Sequence, residues 1–192
     1  IYDGKTKVTE YNNPNKLINQ FYSGMEYGEI WGFETDRYFE ESDFKGKNAD
    51  GSWIYADGVA DQTGLEQGTF VYGPGDIKFK DLDGNGVING GDPTMKDENG
   101  NLIPVGTVRN HGDLKKIGNS TPRYEYSFRV GAAWKGIDVD LFFQGVGKKD
   151  VYYSGAGARA LCGIYTIYKY QFDYWTPENP DAKFPRLLED PN

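Results

Sequence analysis

Cysteine is nearly missing from this 192-residue sequence. Cys162 is the single example, so no internal disulfide is possible. Nothing nearby in the sequence would activate it, so it reads as an inert residue rather than a reactive thiol. Histidine is as scarce. His111 stands alone in the polar run Arg109-Asn110-His111-Gly112-Asp113, which reads as an exposed loop rather than the setting of a general base. No HExxH, Walker-type loop, GxSxG or CxxC occurs. Carboxylates such as Glu40, Glu41 and Asp43 are plentiful, but a glycosidase needs two held in a cleft, and sequence alone does not place them so. The chain is expected not to be an enzyme.

Long apolar runs are also absent. No stretch of about 18 such residues forms a membrane helix. No secretory signal is present. The sequence opens at Ile1 and closes at Pro191-Asn192 without terminal logic, so it reads as a piece of a longer protein. The missing signal then says nothing about location. Positive charge is in deficit: the net charge of −8 argues against nucleic acid as a partner and is compatible with cation binding.

Glycine and aromatic residues are abundant instead, with 26 Gly, 15 Tyr, 11 Phe and 4 Trp. That balance favours strands and turns over helices, and an all-β fold is expected. Residues 1–26 form a polar lead-in with a turn at Asn12-Asn13-Pro14-Asn15 and a weak helix candidate from Lys16 to Tyr22. Residues 27–118 combine strands with long loops. Tyr27 to Phe33 alternates as a strand does, while Thr69 to Tyr72 and Asp76 to Lys80 are short strand candidates around Gly73-Pro74-Gly75. Glu40 to Gly68 reads as a long surface loop, and residues 81–118 as another. The loop aromatics Trp53, Tyr55 and Tyr72 are expected to pack the loops together more readily than to stack on sugar rings. Residues 148–192 form a further loop region.

The clearest periodicity lies in 119–147. Tyr124, Tyr126, Phe128, Val130, Ala132 and Trp134 occupy every second position. After Lys135-Gly136, Ile137, Val139, Leu141 and Phe143 continue the apolar set. A two-residue hairpin loop sets Trp134 opposite Ile137, Ala132 opposite Val139, Val130 opposite Leu141 and Phe128 opposite Phe143. Arg129 then lies diagonal to Asp140 on the polar face, within reach of an ion pair. Each strand runs about ten residues, the length that crosses a bilayer at a tilt. On period alone, a membrane barrel and a soluble β-sandwich explain the pattern equally.

The most specific chemical motif is Asp81-Leu82-Asp83-Gly84-Asn85-Gly86-Val87-Ile88-Asn89-Gly90-Gly91-Asp92. It fits the twelve-residue calcium loop, whose ion takes six to eight oxygens at about 2.3–2.6 Å. Asp81, Asp83 and Asn85 would converge, with Gly86 making the sharp turn. Val87 would offer its carbonyl, Asn89 would act directly or through water, and Asp92 would close the site. The last position normally carries a bidentate Glu, so the shorter Asp92 implies modest affinity. The role expected is structural, a pinned loop. A bare Gly/Asn/Asp turn is the alternative.

Five ordered segments together resemble one family. They are Tyr27-Gly28-Glu29-Ile30-Trp31-Gly32-Phe33-Glu34-Thr35-Asp36, then Pro74 to Asp81 with the calcium-type loop, then Ile117-Gly118-Asn119-Ser120-Thr121-Pro122, then Gly131 to Gly147, then Asp173 to Leu187. These are similar to signatures of the SusC/RagA family of TonB-dependent outer-membrane transporters of Bacteroidota. The resemblance implies a barrel of about 22 strands with a plug, working with a SusD-like surface lipoprotein. It implies import of oligosaccharides or peptides, and coupling to TonB through an N-terminal part outside this sequence. The chain would be a segment of a transmembrane antiparallel β-barrel in the outer membrane, against lipid, with long extracellular loops. The Lys135-Gly136 turn would face the periplasm and the calcium-type loop the outside. The stretch between that loop and Ile117, including Asp97-Glu98-Asn99-Gly100-Asn101, is longer than the family pattern. The rival reading is a soluble calcium-dependent glycan-binding module of the cell surface. A dockerin-like element would need a second calcium loop, and only one is present.

Overall fold

The computed structural model describes residues 2–3, 5–153 and 167–187. Cys162 lies outside them. Nine strands occur among the described residues: β1 (Tyr2–Asp3), β2 (Glu29–Phe33), β3 (Thr35–Tyr38), β4 (Phe44–Lys47), β5 (Trp53–Tyr55), β6 (Ile77–Phe79), β7 (Leu114–Asn119), β8 (Tyr124–Trp134) and β9 (Ile137–Gly147). Among the described residues the fold is all-β, with no helix of seven or more residues. Among the described residues no helix is long and apolar enough to cross a membrane, which says nothing of strands. The sheets are small and unclosed. β1, β8 and β9 form one, and β2 with β7, β3 with β6, and β4 with β5 form pairs.

The chain divides into two compact units. The first combines residues 1–31 and 116–152. Its main element is the β8–β9 hairpin. Lys135 and Gly136 both take positive φ, 48° and 83°. That conformation matches the right-handed twist of the flanking strands, and glycine adopts it without steric cost. The turn sets the register: Trp134 pairs with Ile137, Val130 with Leu141, and Phe128 with Phe143, as the alternation requires. The Phe128 and Phe143 rings stack at 4.7 Å. On the opposite face the expected ion pair is formed, with Arg129 Nε donating to Asp140 Oδ1 at 2.8 Å and Nη2 lying 2.7 Å from Oδ2. Both partners are exposed, so the pair fixes geometry more than it adds stability.

The helix expected from Lys16 to Tyr22 is not formed. The segment is a series of turns. Buried Asn13 is the reason: its amide donates to the carbonyls of Leu17 and Phe21, and its Oδ1 accepts the Leu17 N–H. A side chain that captures these backbone groups competes with a helix, and Lys16 at φ 53° has left helical space. Tyr22 and Met25 are buried beneath these turns. Glu29 organises the same unit. It accepts hydrogen bonds from Tyr22 Oη and Trp31 Nε1, and lies 2.7 Å from Lys116 Nζ. Burial raises its pKa, but Lys116, Tyr22 and Trp31 outweigh that and leave it below the ordinary value.

The second unit combines residues 32–115 and 153–192. Its centre is Phe39, fully buried, ringed by Phe44, Tyr55 and Tyr72 at centroid distances of 5.1, 5.8 and 6.2 Å. Trp53 packs on Phe44 at 5.1 Å. The loop aromatics are therefore packing residues. The long surface loop expected from Glu40 to Gly68 contains the β4–β5 ribbon and two short 3₁₀ turns, Glu41–Asp43 and Thr63–Leu65. Thr69 to Tyr72 is not a strand. Buried Gln62 donates to the Ile77 carbonyl and accepts the Phe79 N–H, taking the place of a neighbouring strand along β6.

Candidate metal centre

Residues 81–92 fold back on themselves through their own side chains. Asp81 accepts the amides of Gly84 at 2.7 Å and Gly86 at 2.9 Å. Asp83 accepts the Asn85 amide at 3.1 Å, and Asn85 accepts that of Val87 at 2.7 Å. Each is a short polar side chain bonding its own backbone a few residues on, the reason these types build tight loops. Gly86 has φ 84°, as the sharp turn demands. Ile88 anchors the segment: it is fully buried, and its N–H donates to the Asp61 carbonyl while Asp61 N–H donates to Gly86.

The structure draws the carboxylates of Asp81, Asp83 and Asp113 together, with one oxygen from each within 4.8 Å of the others. That group could hold a metal ion. Its donors are all hard oxygens, which fits a hard cation better than zinc or copper. Burial, and then the charges of Asp113 and Asp81, push the Asp83 carboxyl above its usual range against the pull of the Asn85 amide.

Asp92, expected to close the site, is not in that group. Its Oδ1 accepts both the Thr94 N–H at 2.7 Å and the Thr94 hydroxyl at 2.6 Å. Asn89 donates to the Val87 carbonyl at 3.2 Å and accepts the Gly91 N–H at 2.7 Å. Asn85 Nδ2 donates to Asp83 at 3.0 Å. Thus Asn85, Val87 and Asn89 brace the loop through one another.

Asp113 is the residue that spacing did not find. It is fully buried. One oxygen accepts the Leu82 N–H at 2.6 Å and the other the Asn89 N–H at 2.9 Å, so it clamps both arms of the loop. No twelve-residue pattern reaches it. The available signal was glycine. A Cβ on Gly112 would collide with Asn89, and one on Gly91 with Asn110, so both glycines permit the two segments to lie in contact. Buried Asn110 completes the seam, accepting the Asp92 N–H and donating to the Asp92 and Ile103 carbonyls. His111 beside it is half-buried rather than exposed, with Nδ1 3.1 Å from the Gly112 carbonyl oxygen.

A scan of protein-family models and a search of curated proteins found no match to this chain.

Proposed function

We propose that this chain is part of a TonB-dependent outer-membrane importer of oligosaccharides or peptides, working with a SusD-like surface lipoprotein. One observation carries the reading. Tyr126, Phe128, Val130, Leu141 and Phe143 share one face of the β8–β9 hairpin, and each is between 45% and 53% exposed. In a soluble sandwich a second sheet would cover that face. A bare apolar face on strands of eleven residues each suits contact with lipid tails. The alternating face carries Ser127, Arg129, Asp140 and Gln144, in keeping with a wet interior. The segment resemblances point the same way. A soluble glycan-binding module would need a cover over that face.

Within this reading the centre at Asp81, Asp83 and Asp113 holds calcium. The ion would neutralise three converging carboxylates and fix an outer loop, and it has no part in chemistry.

The test uses the full-length protein in its own cells, with Cys162→Ser and single cysteines at Ser127 or Phe128. In isolated outer membranes a water-soluble maleimide should label S127C and spare F128C. Recovery of the protein in the soluble fraction, or equal labelling at both positions, overturns the proposal.

A further inference from the structure

We infer that the first compact unit carries a recognition site for an acidic sugar, a pyranose bearing a carboxylate. The inference rests on the importer reading and narrows it: between oligosaccharides and peptides, it selects a charged oligosaccharide.

The site is a cleft of about 440 Å³. That volume falls in the range of about 300–1,000 Å³ typical of small-ligand sites. All its lining residues belong to the unit formed by residues 1–31 and 116–152. Two segments far apart in sequence build it. A Cβ on Gly28, at φ 85°, would collide with side-chain oxygens of Asn119, Ser120 and Thr121, so glycine lets the second segment close onto the first. Ser120 seals the contact by donating both its N–H and its hydroxyl to the Gly28 carbonyl. Gly118 in turn leaves room for the Asp150 carboxylate, which accepts the Asn119 N–H at 2.7 Å. The Asp150 N–H returns a bond to the Asn119 carbonyl at 2.8 Å. The walls are therefore set by bonds of the chain to itself, and a ligand does not have to order them.

The charge of the cleft is the second observation. The chain has a net charge of −8, yet four cations line this cleft, Lys5, Lys116, Arg123 and Lys148. Three carboxylates accompany them, Glu26, Glu29 and Asp150. Lys5 holds Glu26 at 2.8 Å and Lys116 holds Glu29 at 2.7 Å, so those charges cancel in pairs. Lys148 is exposed and makes no ion pair among the described residues. Arg123 and Lys148 stand immediately beyond the last pair of the hairpin, Tyr124 opposite Gly147. Like charges on facing strands repel, and an anion bound between them removes that cost.

Tyr27 supplies the third observation. It lines the same cleft and is 50% exposed. Phe21 stacks against its ring, centroids 5.7 Å apart and planes 13° from parallel. Trp53, Tyr55 and Tyr72 are consumed in packing around Phe39 and Phe44, whereas the Tyr27 ring is supported from one side and stays accessible. Such a ring offers a flat apolar surface to the C–H face of a pyranose. Thr6, Asn119 and Thr121 add neutral polar groups for hydroxyls. A hexuronate uses every part of this arrangement, its ring on Tyr27 and its carboxylate toward Lys148 and Arg123. A neutral sugar leaves the charge unused, and an acidic peptide or bare phosphate leaves the ring unused. On the importer reading the tight turn of the hairpin faces the periplasm, so the cleft at the other end of the strands meets substrate from outside.

The experiment uses the full-length protein in detergent, titrated calorimetrically. The probes are an oligogalacturonate and a glucuronate-containing oligosaccharide, each beside its methyl ester. At least one acid should bind about tenfold more tightly than its ester, and the advantage should shrink as salt rises. Lys148→Gln should bring that acid to the affinity of its ester. Because Lys148 is exposed, the variant removes charge without disturbing packing. Lys135→Gln, also at a positive-φ lysine but at the opposite end of the hairpin, should change nothing. Tyr27→Leu should weaken acid and ester by the same factor. Equal affinity of acid and ester for both sugars, or no binding of either acid, overturns the inference. So does inorganic phosphate or tetraglutamate binding as tightly as the acid sugar with Tyr27→Leu without effect, which would make the cleft a bare oxyanion or peptide site. The S127C and F128C labelling pattern reports separately on the importer reading, so the two failures are distinguishable.

Discussion

Asp113 and Asp92 separate two accounts of the same loop. Spacing assigns the closing ligand to Asp92, twelve residues into the motif, whereas proximity assigns it to Asp113. An ion held by Asp113 predicts that Asp113→Asn weakens calcium binding at least about tenfold, roughly 1.4 kcal/mol. Asp92→Asn should change it by less than about twofold, because its carboxylate is spent on Thr94. Terbium luminescence, or the calcium dependence of thermal unfolding, reads both. The reverse order of effects would restore the twelve-residue loop. A second residue-scale prediction concerns Asp43. Its burial works to raise the pKa, yet Arg37, the Glu40 amide and Lys78 together hold it at about 2. An unfolded Asp titrates near 3.9. A depressed folded value means the stabilisation is complete above about pH 4 and is lost as pH falls toward 2. Arg37 is partly exposed, so the contribution is about 1–2 kcal/mol. Trp53, packed on neighbouring Phe44, should report the acid transition by fluorescence. Asp43→Asn should lower stability at neutral pH and flatten the slope below pH 4. An unchanged slope would show that other carboxylates govern it.

At the scale of elements, the proposed membrane contact falls on the hairpin. Replacing Val130 with Arg puts a charge on the apolar face near the middle of the strand, at a cost of about 2–4 kcal/mol if that face meets lipid. Ser127→Arg, on the other face, should cost under about 1 kcal/mol. Yield of heat-modifiable, folded protein in the outer membrane compares the two. Equal yields would argue against a lipid-facing surface. The hairpin was legible in the sequence for a physical reason. Its register depends on a period of two and a two-residue turn, both local. The Lys16–Tyr22 turns were not, because the side chain of Asn13 competes for the backbone there. The β4–β5 ribbon hid among Gly and Asp-Gly pairs, since only its Phe44 end is buried and no alternation survives. Strand β7, Leu114–Asn119, hid in an expected loop for a similar reason: Lys115, Lys116 and Ile117 are all exposed, so no buried face marks it. The candidate metal centre was half legible. Asp81 and Asp83 follow from spacing, but Asp113 comes from a separate segment whose approach was signalled only by Gly91 and Gly112.

At the scale of the whole molecule, two of the segments that carry the family resemblance meet in one clasp. Asp76, from Pro74-Gly75-Asp76, and Arg186, from Pro185-Arg186-Leu187, are 110 residues apart and form a two-point ion pair of 2.9 and 2.6 Å. Arg186 Nη2 also donates to the Val71 carbonyl, and its backbone N–H donates to Gly75. Asp76 accepts the Gly73 N–H at 2.8 Å. Trp175 lies against Gly75 and Trp53 against Gly73, so neither glycine has room for a side chain. Burial raises the Asp76 pKa against the pull of Arg186, which marks a carboxylate that depends on its partner. Lysine keeps the charge of Arg186 but cannot span Asp76 and Val71 together, because its ammonium is a single point and the guanidinium is a planar fork. Arg186→Lys should therefore loosen the clasp by about 2 kcal/mol, raising the open population about thirtyfold. When opening is fast relative to cleavage, proteolysis follows that population. Cleavage within residues 71–76 of the folded protein should rise by the same factor, while Lys183→Ala, an exposed neighbour in sequence, should leave it unchanged. If R186K cleaves at the parent rate, the aromatic packing of Trp53 and Trp175 on the two glycines holds the segments together and the ion pair is incidental.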